Sequence, residues 1–292
     1  MTDARPRILV TGAQGQVGFE LAELLRLHGD VIAVDRRALE LAHPDTIVSA
    51  VRRAAPHVIV NAAAYTAVDQ AEREPELAHA INGAAPGILA EEAKRAGALL
   101  IHYSTDYVFD GTQTIPYDEN AATAPLNVYG ASKLAGERAI AASGAAALVL
   151  RTSWVYGLRG KNFLLTIRRL AQERDELRIV ADQTGVPNWC RTLAGATAML
   201  VARGIPYLVD RAGLYHLSCS GVTTWHGFAK AIVGDVETPR VTPITSAEFP
   251  TPARRPAYGV LATTKFDRVF GFALPEWRRA LQACVSGTND TW

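Results

Sequence analysis

Short apolar runs alternate with longer amphipathic segments along the first half of the chain. The runs lie at residues 7–11, 31–34, 58–60 and 99–101, and polar or turn-forming residues bound each of them. Between the runs, apolar residues recur at helical spacing at residues 17–27, 45–54 and 77–96. Short apolar runs of this kind are typical of strands buried on both faces, so the alternation predicts a parallel sheet covered by helices.

The pattern changes beyond about residue 153. Helices are predicted at residues 163–171 and 193–202, a short strand at 177–180, and a closing helical segment at 265–284. Prolines crowd residues 239–256 and predict irregular structure there. We therefore predict one domain at residues 1–153 and a second at 154–292, with a helix near residues 191–203 packing back on the first.

A glycine-rich turn directly follows the first predicted strand. Gly12, Gly15 and Gly18 are spaced Gly-x-x-Gly-x-x-Gly, and the helical pattern begins within the turn. This is the setting of a dinucleotide site, because the glycines let backbone approach the pyrophosphate and the helix supplies unpaired N–H groups. The context favours a nucleotide over a turn without ligand, and the spacing indicates the short-chain dehydrogenase branch of such folds. The predicted fold class is α/β, a doubly wound and mostly parallel Rossmann sheet with a smaller α+β substrate domain at the C-terminus.

The second predicted strand ends at a carboxylate. Asp35 lies about 20 residues past the glycine turn, where an acidic residue typically accepts hydrogen bonds from the adenosine ribose hydroxyls. Arg36 and Arg37 follow it, and a guanidinium at this edge can pair with a 2′-phosphate. Asp35 favours NADH and the arginines accommodate NADPH, so both cofactors stay open.

Two further stretches follow predicted strands. The small residues at 61–66 would let a flat cofactor lie close to backbone, although an ordinary tight connection has the same composition. Thr105 falls where the carboxyl end of a strand meets the crevice of a doubly wound sheet, the usual ligand position. His102, between strand and crevice, is predicted to be a hydrogen-bonded core histidine and not a catalytic one.

Tyr129 and Lys133 lie four residues apart, a spacing that places both side chains on one face of a helix. A nearby ammonium favours the phenolate and so lowers the pKa of a tyrosine. The pair therefore predicts a phenol that exchanges a proton with a carbonyl oxygen near neutral pH. A surface tyrosine and a solvated lysine can share this spacing by chance, and the preceding βα units give the pair its weight.

Composition excludes several other classes of protein. The chain has 292 residues, 49% of them hydrophobic, and a formal net charge of +1, so no broad field attracts nucleic acid or an anionic membrane. No apolar run reaches the length of a membrane span, and the polar start at residues 1–7 is not expected to be a secretory signal. Cys190, Cys219 and Cys284 are far apart and odd in number, which predicts inert thiols in a reducing cytoplasm.

Motifs along essentially the whole chain resemble those of one enzyme family. They read STDYVFDG at residues 104–111, APLNVYGASKLAGE at 124–137, RTSWVYG at 151–157, GKNF at 160–163, ADQTGVP at 181–187 and PARRP at 252–256. In these motifs the chain resembles the extended short-chain dehydrogenase/reductases, and among them the dTDP-4-dehydrorhamnose reductases.

The resemblance implies a role for each matching residue. Tyr129 would protonate the C4 ketone oxygen, Lys133 would hold the nicotinamide ribose and lower the pKa of the tyrosine, and Thr105 would hydrogen-bond the same oxygen. The implied cofactor-binding residues are Gly12, Gly15, Gln16, Val17, Gly18, Asp35, Arg36, Glu40, Leu41, Ala64, Tyr65 and Thr66, together with Tyr129 and Lys133. The implied substrate-binding residues are Val68, Thr105, Asp106, Trp154, Asn162 and Arg255. Arg254 and Arg255 could bind the substrate diphosphate or could simply be exposed to solvent, and the sequence favours neither alternative.

The implied reaction reduces the C4 ketone of dTDP-4-dehydro-6-deoxy-L-mannose to dTDP-L-rhamnose with NADPH or NADH, in the synthesis of nucleotide sugars for cell-surface polysaccharide. Related 4,6-dehydratases carry an acidic residue directly after the Thr-Asp pair, and Tyr107 stands there instead, so dehydration is not expected. One alternative is a reductase of a different dTDP-4-keto-6-deoxysugar. Another is a non-catalytic NADP-binding subunit similar to the beta subunit of methionine adenosyltransferase, against which the intact Thr105, Tyr129 and Lys133 argue. Some relatives are magnesium-bridged dimers; a homodimer stays open here, but no acidic cluster supports Mg²⁺.

Overall fold

The computed structural model describes residues 5–235 and 237–287. Its strands, numbered along the chain, are β1 (Arg7–Thr11), β2 (Asp30–Val34), β3 (Val58–Asn61), β4 (Leu99–Thr105), β5 (Ala147–Thr152), β6 (Val155–Tyr156), β7 (Glu176–Val180), β8 (Thr184–Gly185), β9 (Asn188–Trp189), β10 (Gly213–His216), β11 (Thr223–Thr224) and β12 (Arg240–Ile244). Its helices are α1 (Gln16–Leu24), α2 (Pro44–Ala54), α3 (Val68–Ala71), α4 (Pro75–His79), α5 (Ala85–Ala96), α6 (Val128–Ser143), α7 (Phe163–Glu173), α8 (Cys190–Ala202), α9 (Ile205–Val209), α10 (Trp225–Val233), α11 (Thr264–Phe270) and α12 (Trp277–Ser286).

Six parallel strands form the central sheet, in the order β10-β5-β4-β3-β1-β2. Every position of β3 and β4 is buried, as the continuous apolar runs predict. The chain leaves β1 towards β2 and then returns to β3 on the other side of β1, so a crevice opens at the carboxyl ends of β1 and β3. The predicted doubly wound α/β sheet is confirmed.

Helices cover both faces of the sheet. On one face α1 and α8 pack side by side, and the Arg191 guanidinium of α8 lies 2.6 Å from the Glu20 carboxylate of α1. On the other face α2, α5 and α6 pack in sequence. Residues beyond 153 therefore contribute the strand β10 and the helices α8, α9 and α11 to the layers around the main sheet.

Three small sheets organise the rest of the chain: β12 with β7, β11 with β8, and β6 with β9. Aromatic side chains of α7, α10 and α12 form the core here, and Phe228 and Trp277 are fully buried with ring centroids 5.9 Å apart. Side chains from this half reach the loops at the carboxyl edge of the main sheet, where they contact Gln16 and Asp69.

Three element predictions need correction. The helix predicted at residues 77–96 is interrupted by a π-helical turn at residues 80–84, between α4 and α5. The closing segment predicted at 265–284 is two helices, α11 and α12, because Gly271 ends the first in a left-handed conformation (φ +74°). The fourth strand continues past residue 101 to Thr105. Strand β10 was not predicted.

Candidate active site

The glycine turn lies at the carboxyl end of β1 and has no room for side chains. Gly12 has φ +69°, and a Cβ there would lie 2.9 Å from the Cα of Ala63. A Cβ on Gly18 would lie 2.1 Å from the Gly12 carbonyl oxygen. Helix α1 begins at Gln16, so its first N–H groups open onto the turn. The glycine turn and the N-terminus of α1 together form a backbone cradle that fits a pyrophosphate.

A cavity of about 500 Å³ lies beside this turn, lined by Gln14, Asp35, Arg36, Arg37 and Glu40. One Asp35 carboxylate oxygen accepts a hydrogen bond from the Gln14 amide at 2.8 Å, and the other accepts from the backbone N–H of Arg37 at 3.0 Å. Arg36 is paired with Glu40, whereas the exposed Arg37 guanidinium forms no ion pair within residues 5–235 and 237–287. Of the two guanidinium groups that line the cavity, that of Arg37 is therefore the one available to a ligand.

Leu41 differs from its neighbours in the predicted adenine site. Its side chain is 6% exposed and packs in the core with Leu39 and Ile47, which leaves little of it for a ligand.

The loop after β3 is held by a residue that the sequence reasoning missed. The buried Asn82 accepts from the backbone N–H of Tyr65 at 2.8 Å and donates to the Tyr65 carbonyl at 2.9 Å. Its amide also donates to the hydroxyl of Ser132, next to Lys133, at 3.0 Å. Asn82 lies in the π-helical turn, and π turns occur frequently at functional sites. The sequence signal that could have identified Asn82 is its polar amide among the apolar residues of a predicted helix.

Helix α6 brings the tyrosine and the lysine to the sheet edge. The Asn127 carboxamide caps the helix by accepting from the Gly130 N–H at 2.8 Å. Tyr129 follows in the first turn and Lys133 one turn later. Thr105 ends β4, and its hydroxyl lies close enough to the Tyr129 phenol to lower the pKa of that phenol. The three residues predicted to be catalytic therefore meet at the carboxyl edge of β4.

The predicted pKa effect of Lys133 on Tyr129 is wrong for this structure. Burial raises the pKa of Tyr129 to about 12, the Thr105 hydrogen bond offsets part of that rise, and the charge of Asp106 adds to it. Lys133 instead donates to the Tyr103 carbonyl at 2.6 Å and contacts the His102 Nε2 at 3.2 Å. Burial lowers the pKa of Lys133 to about 8. The amine is thus committed to β4 and away from the phenol.

Asp106 is a buried carboxyl beside the residues predicted to be catalytic. It is 2% exposed and accepts a hydrogen bond from the Thr105 hydroxyl at 3.1 Å. Burial raises its pKa to about 7, and its hydrogen bonds offset part of this rise. Gly259 lies against it, since a Cβ there would sit 2.4 Å from the carboxylate. Asp106 can therefore change charge near neutral pH.

Trp154 forms an aromatic wall near the site. Its backbone has φ +42°, an uncommon conformation for a residue with a side chain, and its indole stacks on Trp225 with ring centroids 3.6 Å apart. A Cβ on Gly185 would lie 2.6 Å from this indole, so Gly185 gives the ring its space. Trp225 was not singled out from the sequence.

Asn162 joins the two halves of the chain. It caps α7 by accepting from the Leu165 N–H at 3.1 Å, and its amide donates to the Gln16 side chain at 2.8 Å. The predicted substrate residue therefore contacts the cofactor turn. Val68 begins α3 and is half-buried.

Arg255 is already occupied. Its guanidinium forms two hydrogen bonds with the Asp69 carboxylate, at 3.0 and 2.8 Å, and further ones with the Thr251 hydroxyl and the Ala253 carbonyl. Arg254 is exposed, and its backbone carbonyl accepts from the Asn127 amide at 2.7 Å. Of the two, Arg254 has the open side chain.

Within the ranges that the structure describes, no group of three or more His, Cys, Asp or Glu side chains could hold a metal ion. Over the same ranges, no helix is both long and apolar enough to cross a membrane. Cys190, Cys219 and Cys284 are buried free thiols.

Comparison with known proteins decides the family. The model of the RmlD substrate binding domain family matches residues 6–289. A dTDP-4-dehydrorhamnose reductase of Burkholderia thailandensis is 48% identical over 96% of this chain and 98% of its own, and one of Salmonella typhimurium is 44% identical over 96% and 97%. The chain belongs to the dTDP-4-dehydrorhamnose reductase family. A crystal structure of the Bacillus anthracis dTDP-4-dehydrorhamnose reductase with NADP is also similar, with 36% identity, a TM-score of 0.91, and coverage of 97% of this chain and 100% of that one.

Membership in the dTDP-4-dehydrorhamnose reductase family agrees with the residue after Asp106. Tyr107 packs edge-on against Tyr129, with ring centroids 5.6 Å apart, and burial raises the pKa of its phenol. A phenol in this state remains protonated at neutral pH and cannot serve as the carboxylate that a dehydratase uses.

Proposed function

We propose that the protein reduces the C4 ketone of dTDP-4-dehydro-L-rhamnose to dTDP-L-rhamnose with NADPH or NADH. The observation that carries this proposal is the position of the Thr105 hydroxyl beside the Tyr129 phenol at the crevice of the sheet, with Lys133 one turn further along α6. Its family membership and the pyrophosphate cradle support the substrate and the cofactor. The product is a nucleotide sugar for the synthesis of cell-surface polysaccharide.

The cofactor, when bound, supplies the hydride that reaches C4. Tyr129 donates its proton to the ketone oxygen in the same step, so no free alkoxide accumulates. Burial keeps the pKa of Tyr129 at about 12, which leaves the phenol protonated at neutral pH and ready to act as an acid. The Thr105 hydroxyl donates to the same oxygen and shares its developing negative charge.

Residues on both sides of the crevice position the reactants. Trp154 and Val68 border the sugar, and Asn162 keeps the Gln16 side chain at the glycine turn. Arg37 would receive a 2′-phosphate, which supports NADPH, while Asp35 would receive the ribose hydroxyls of NADH.

The assay mixes purified protein with NADPH and dTDP-4-dehydro-L-rhamnose and follows loss of absorbance at the nicotinamide band. The expected product comigrates with authentic dTDP-L-rhamnose. A protein that binds NADPH tightly but oxidises none of it would support the regulatory-subunit alternative. Turnover only with another dTDP-4-keto-6-deoxysugar, or a product epimeric at C4, would support a different reductase.

The remaining parts of the proposal concern organisation and location. We keep a substrate-binding unit at residues 154–292 beside the cofactor-binding unit, with α8 and β10 shared between them. The three buried free thiols support a cytoplasmic location. A homodimer rests on the family resemblance alone, and analytical ultracentrifugation tests it.

A further inference from the structure

Four buried polar side chains form a continuous row of contacts beneath the active site. Thr11 donates to the Asn61 carbonyl oxygen at 2.6 Å, and the Asn61 amide nitrogen lies 2.9 Å from the His102 Nδ1. The His102 Nε2 lies 3.2 Å from the Lys133 amine. None of the four is more than 2% exposed. This row connects the last residue of β1, which precedes Gly12, to Lys133 of α6.

The sheet register explains why these residues meet. Thr11 pairs with Asn61 across β1 and β3, and Asn61 pairs with His102 across β3 and β4. Side chains at paired positions of parallel strands point to the same face, so the three lie in one row. Lys133 reaches the end of that row from the helix above it.

Counting protons along the row leaves two arrangements. The Asn61 carbonyl oxygen accepts from the Thr11 hydroxyl and from the Ala63 N–H at 3.3 Å, so the Asn61 NH₂ donates to the His102 Nδ1. A neutral imidazole that accepts at Nδ1 carries its proton on Nε2. That N–H can donate to Lys133 only if the amine is uncharged, because an ammonium has no acceptor.

The second arrangement holds a charged lysine. The Lys133 ammonium donates to Nε2, the imidazole proton moves to Nδ1, and the Asn61 carboxamide turns over to accept it. The Asn61 NH₂ then donates to the Thr11 hydroxyl oxygen, which also accepts from the Ala63 N–H at 3.4 Å. Because burial lowers the pKa of Lys133 to about 8 and the pKa of His102 well below its ordinary value, the lysine titrates near neutral pH while the histidine stays uncharged. The histidine tautomer therefore follows the lysine charge.

We infer that His102 is a positioning residue for the reduction, which accepts a hydrogen bond from charged Lys133 and couples that charge to the cofactor-binding end of β1. This inference rests on the proposed function for its consequence in catalysis. Its structural content, the coupled tautomer, rests on the hydrogen-bond row and on the burial of Lys133 and His102.

Other charged groups near Lys133 are already paired. Glu137, on the same helix, favours the charged lysine but is bound by Arg151 of β5 at 2.6 Å. On the elements packed against α6, the charged or titratable groups with partners are Asp69 with Arg255, Glu72 with the Val128 N–H, Glu92 with Arg52, and Lys94 with the Ser143 carbonyl. Asp106 and Tyr107, after β4, lie on the Tyr129 side, and His79 of α4 lies near Gly83. His102 is therefore the titratable side chain in direct contact with the Lys133 amine.

Two amide variants that differ by one methylene test this role. The Gln side chain in His102→Gln reaches the position of Nε2 and can accept from Lys133, whereas that in His102→Asn reaches only the position of Nδ1. We expect His102→Gln to bind NADPH with nearly wild-type affinity between pH 6 and 9. We expect His102→Asn to bind about tenfold more weakly at pH 8 and to lose kcat at a pH about one unit lower than wild type, because charged Lys133 has lost its acceptor.

His216→Gln and His216→Asn are the matched controls, since His216 is equally buried but lies on β10 against Phe109. Equal pH profiles and NADPH affinities for the two His102 variants would overturn the inference. Wild-type protein labelled with ¹⁵N-histidine gives a readout that needs no variant to fold: the His102 proton should move from Nδ1 to Nε2 between pH 6 and 10. A fixed tautomer would also overturn it. Failure of the proposed function would appear separately, as wild-type protein that oxidises no NADPH with the sugar.

Discussion

Tyr129 and Thr105 lie side by side, but only the phenol can release a proton at useful cost, because the pKa of an alcohol is far higher. We expect Tyr129→Phe to nearly abolish kcat while the dTDP-sugar still binds. Thr105→Val should cost about 10–10³-fold, as for the loss of one donor to a developing oxyanion. Steady-state kinetics and product-inhibition constants test both. Tyr117→Phe is the control, since this buried phenol donates to Asp110 and contacts neither Thr105 nor Tyr129 among its hydrogen bonds. More than a tenth of wild-type kcat in Tyr129→Phe would mean that tyrosine is not the acid.

Asp106 gives a pH dependence of stability with a definite sign. Burial raises its pKa from 3.8 to about 7, so the folded protein binds the proton more tightly than the unfolded chain. Its contribution is full below about pH 4 and is lost as the pH rises through 7. The uncharged Asp106→Asn should therefore gain stability over wild type as the pH rises, by about 2–4 kcal/mol at pH 8.5. Urea unfolding at pH 5 and 8.5 measures this, and a pH-independent difference would contradict it.

Arg37 gives a prediction about the cofactor preference that the sequence left open. Its guanidinium lines the cavity beside Asp35 without an ion pair in the described ranges, whereas Arg36 is paired with Glu40. We expect Arg37→Gln to raise the KM for NADPH about tenfold or more and to leave the KM for NADH nearly unchanged. Arg36→Gln is the matched control and should have the smaller effect. A larger loss of NADPH affinity in Arg36→Gln would reverse the assignment.

At the scale of elements, Asn162 has two functions: it caps α7, and it joins the two halves of the chain by contacting Gln16. Two variants test these functions. Asn162→Asp keeps an oxygen to cap α7 but loses the amide that donates to Gln16. Asn162→Ala loses both, with about 1 kcal/mol from the cap. We expect both variants to weaken NADPH binding, and only Asn162→Ala to lose the cap of α7. Both should lower the free energy of unfolding, because the amide also donates to the Gly157 and Arg159 carbonyls. Fluorescence titration and urea denaturation are the measurements. Wild-type affinity in Asn162→Asp would show that the Gln16 contact has no role.

Elements with strong local signals were predictable, and those set by tertiary contacts were not. Strands β1 to β4 contain continuous apolar runs, and the glycine turn has a fixed spacing. The π turn at residues 80–84 has no such pattern, because it depends on Asn82 bonding Tyr65 and Ser132. Strand β10 has four residues and is defined by its pairing with β5, which a short sequence window cannot contain.

For the whole molecule, the sequence predicted which residues lie together but not which hydrogen-bond partners each side chain has. Thr105, Tyr129 and Lys133 lie together as predicted, since strand ends and helix spacing determine their positions. The direction of the Lys133 amine was missed, because its acceptors are a histidine and a backbone carbonyl on a strand 30 residues earlier. Pairing of Arg255 with Asp69, 186 residues apart, was likewise invisible from the sequence.

The pairing of Arg255 yields a prediction about the substrate diphosphate. Asp69 already neutralises Arg255 through two hydrogen bonds, whereas Arg254 is exposed beside it on a backbone fixed by Asn127. A free guanidinium attracts a diphosphate more strongly than one with a carboxylate partner. We expect Arg254→Gln to raise the Kd for dTDP about tenfold at low salt, and this loss should shrink as salt rises. Asp69→Asn, which frees Arg255, should bind dTDP at least as tightly as wild type. Calorimetric titration of dTDP measures both. If Arg254→Gln binds normally and Arg255→Gln does not, Arg255 holds the diphosphate despite its partner.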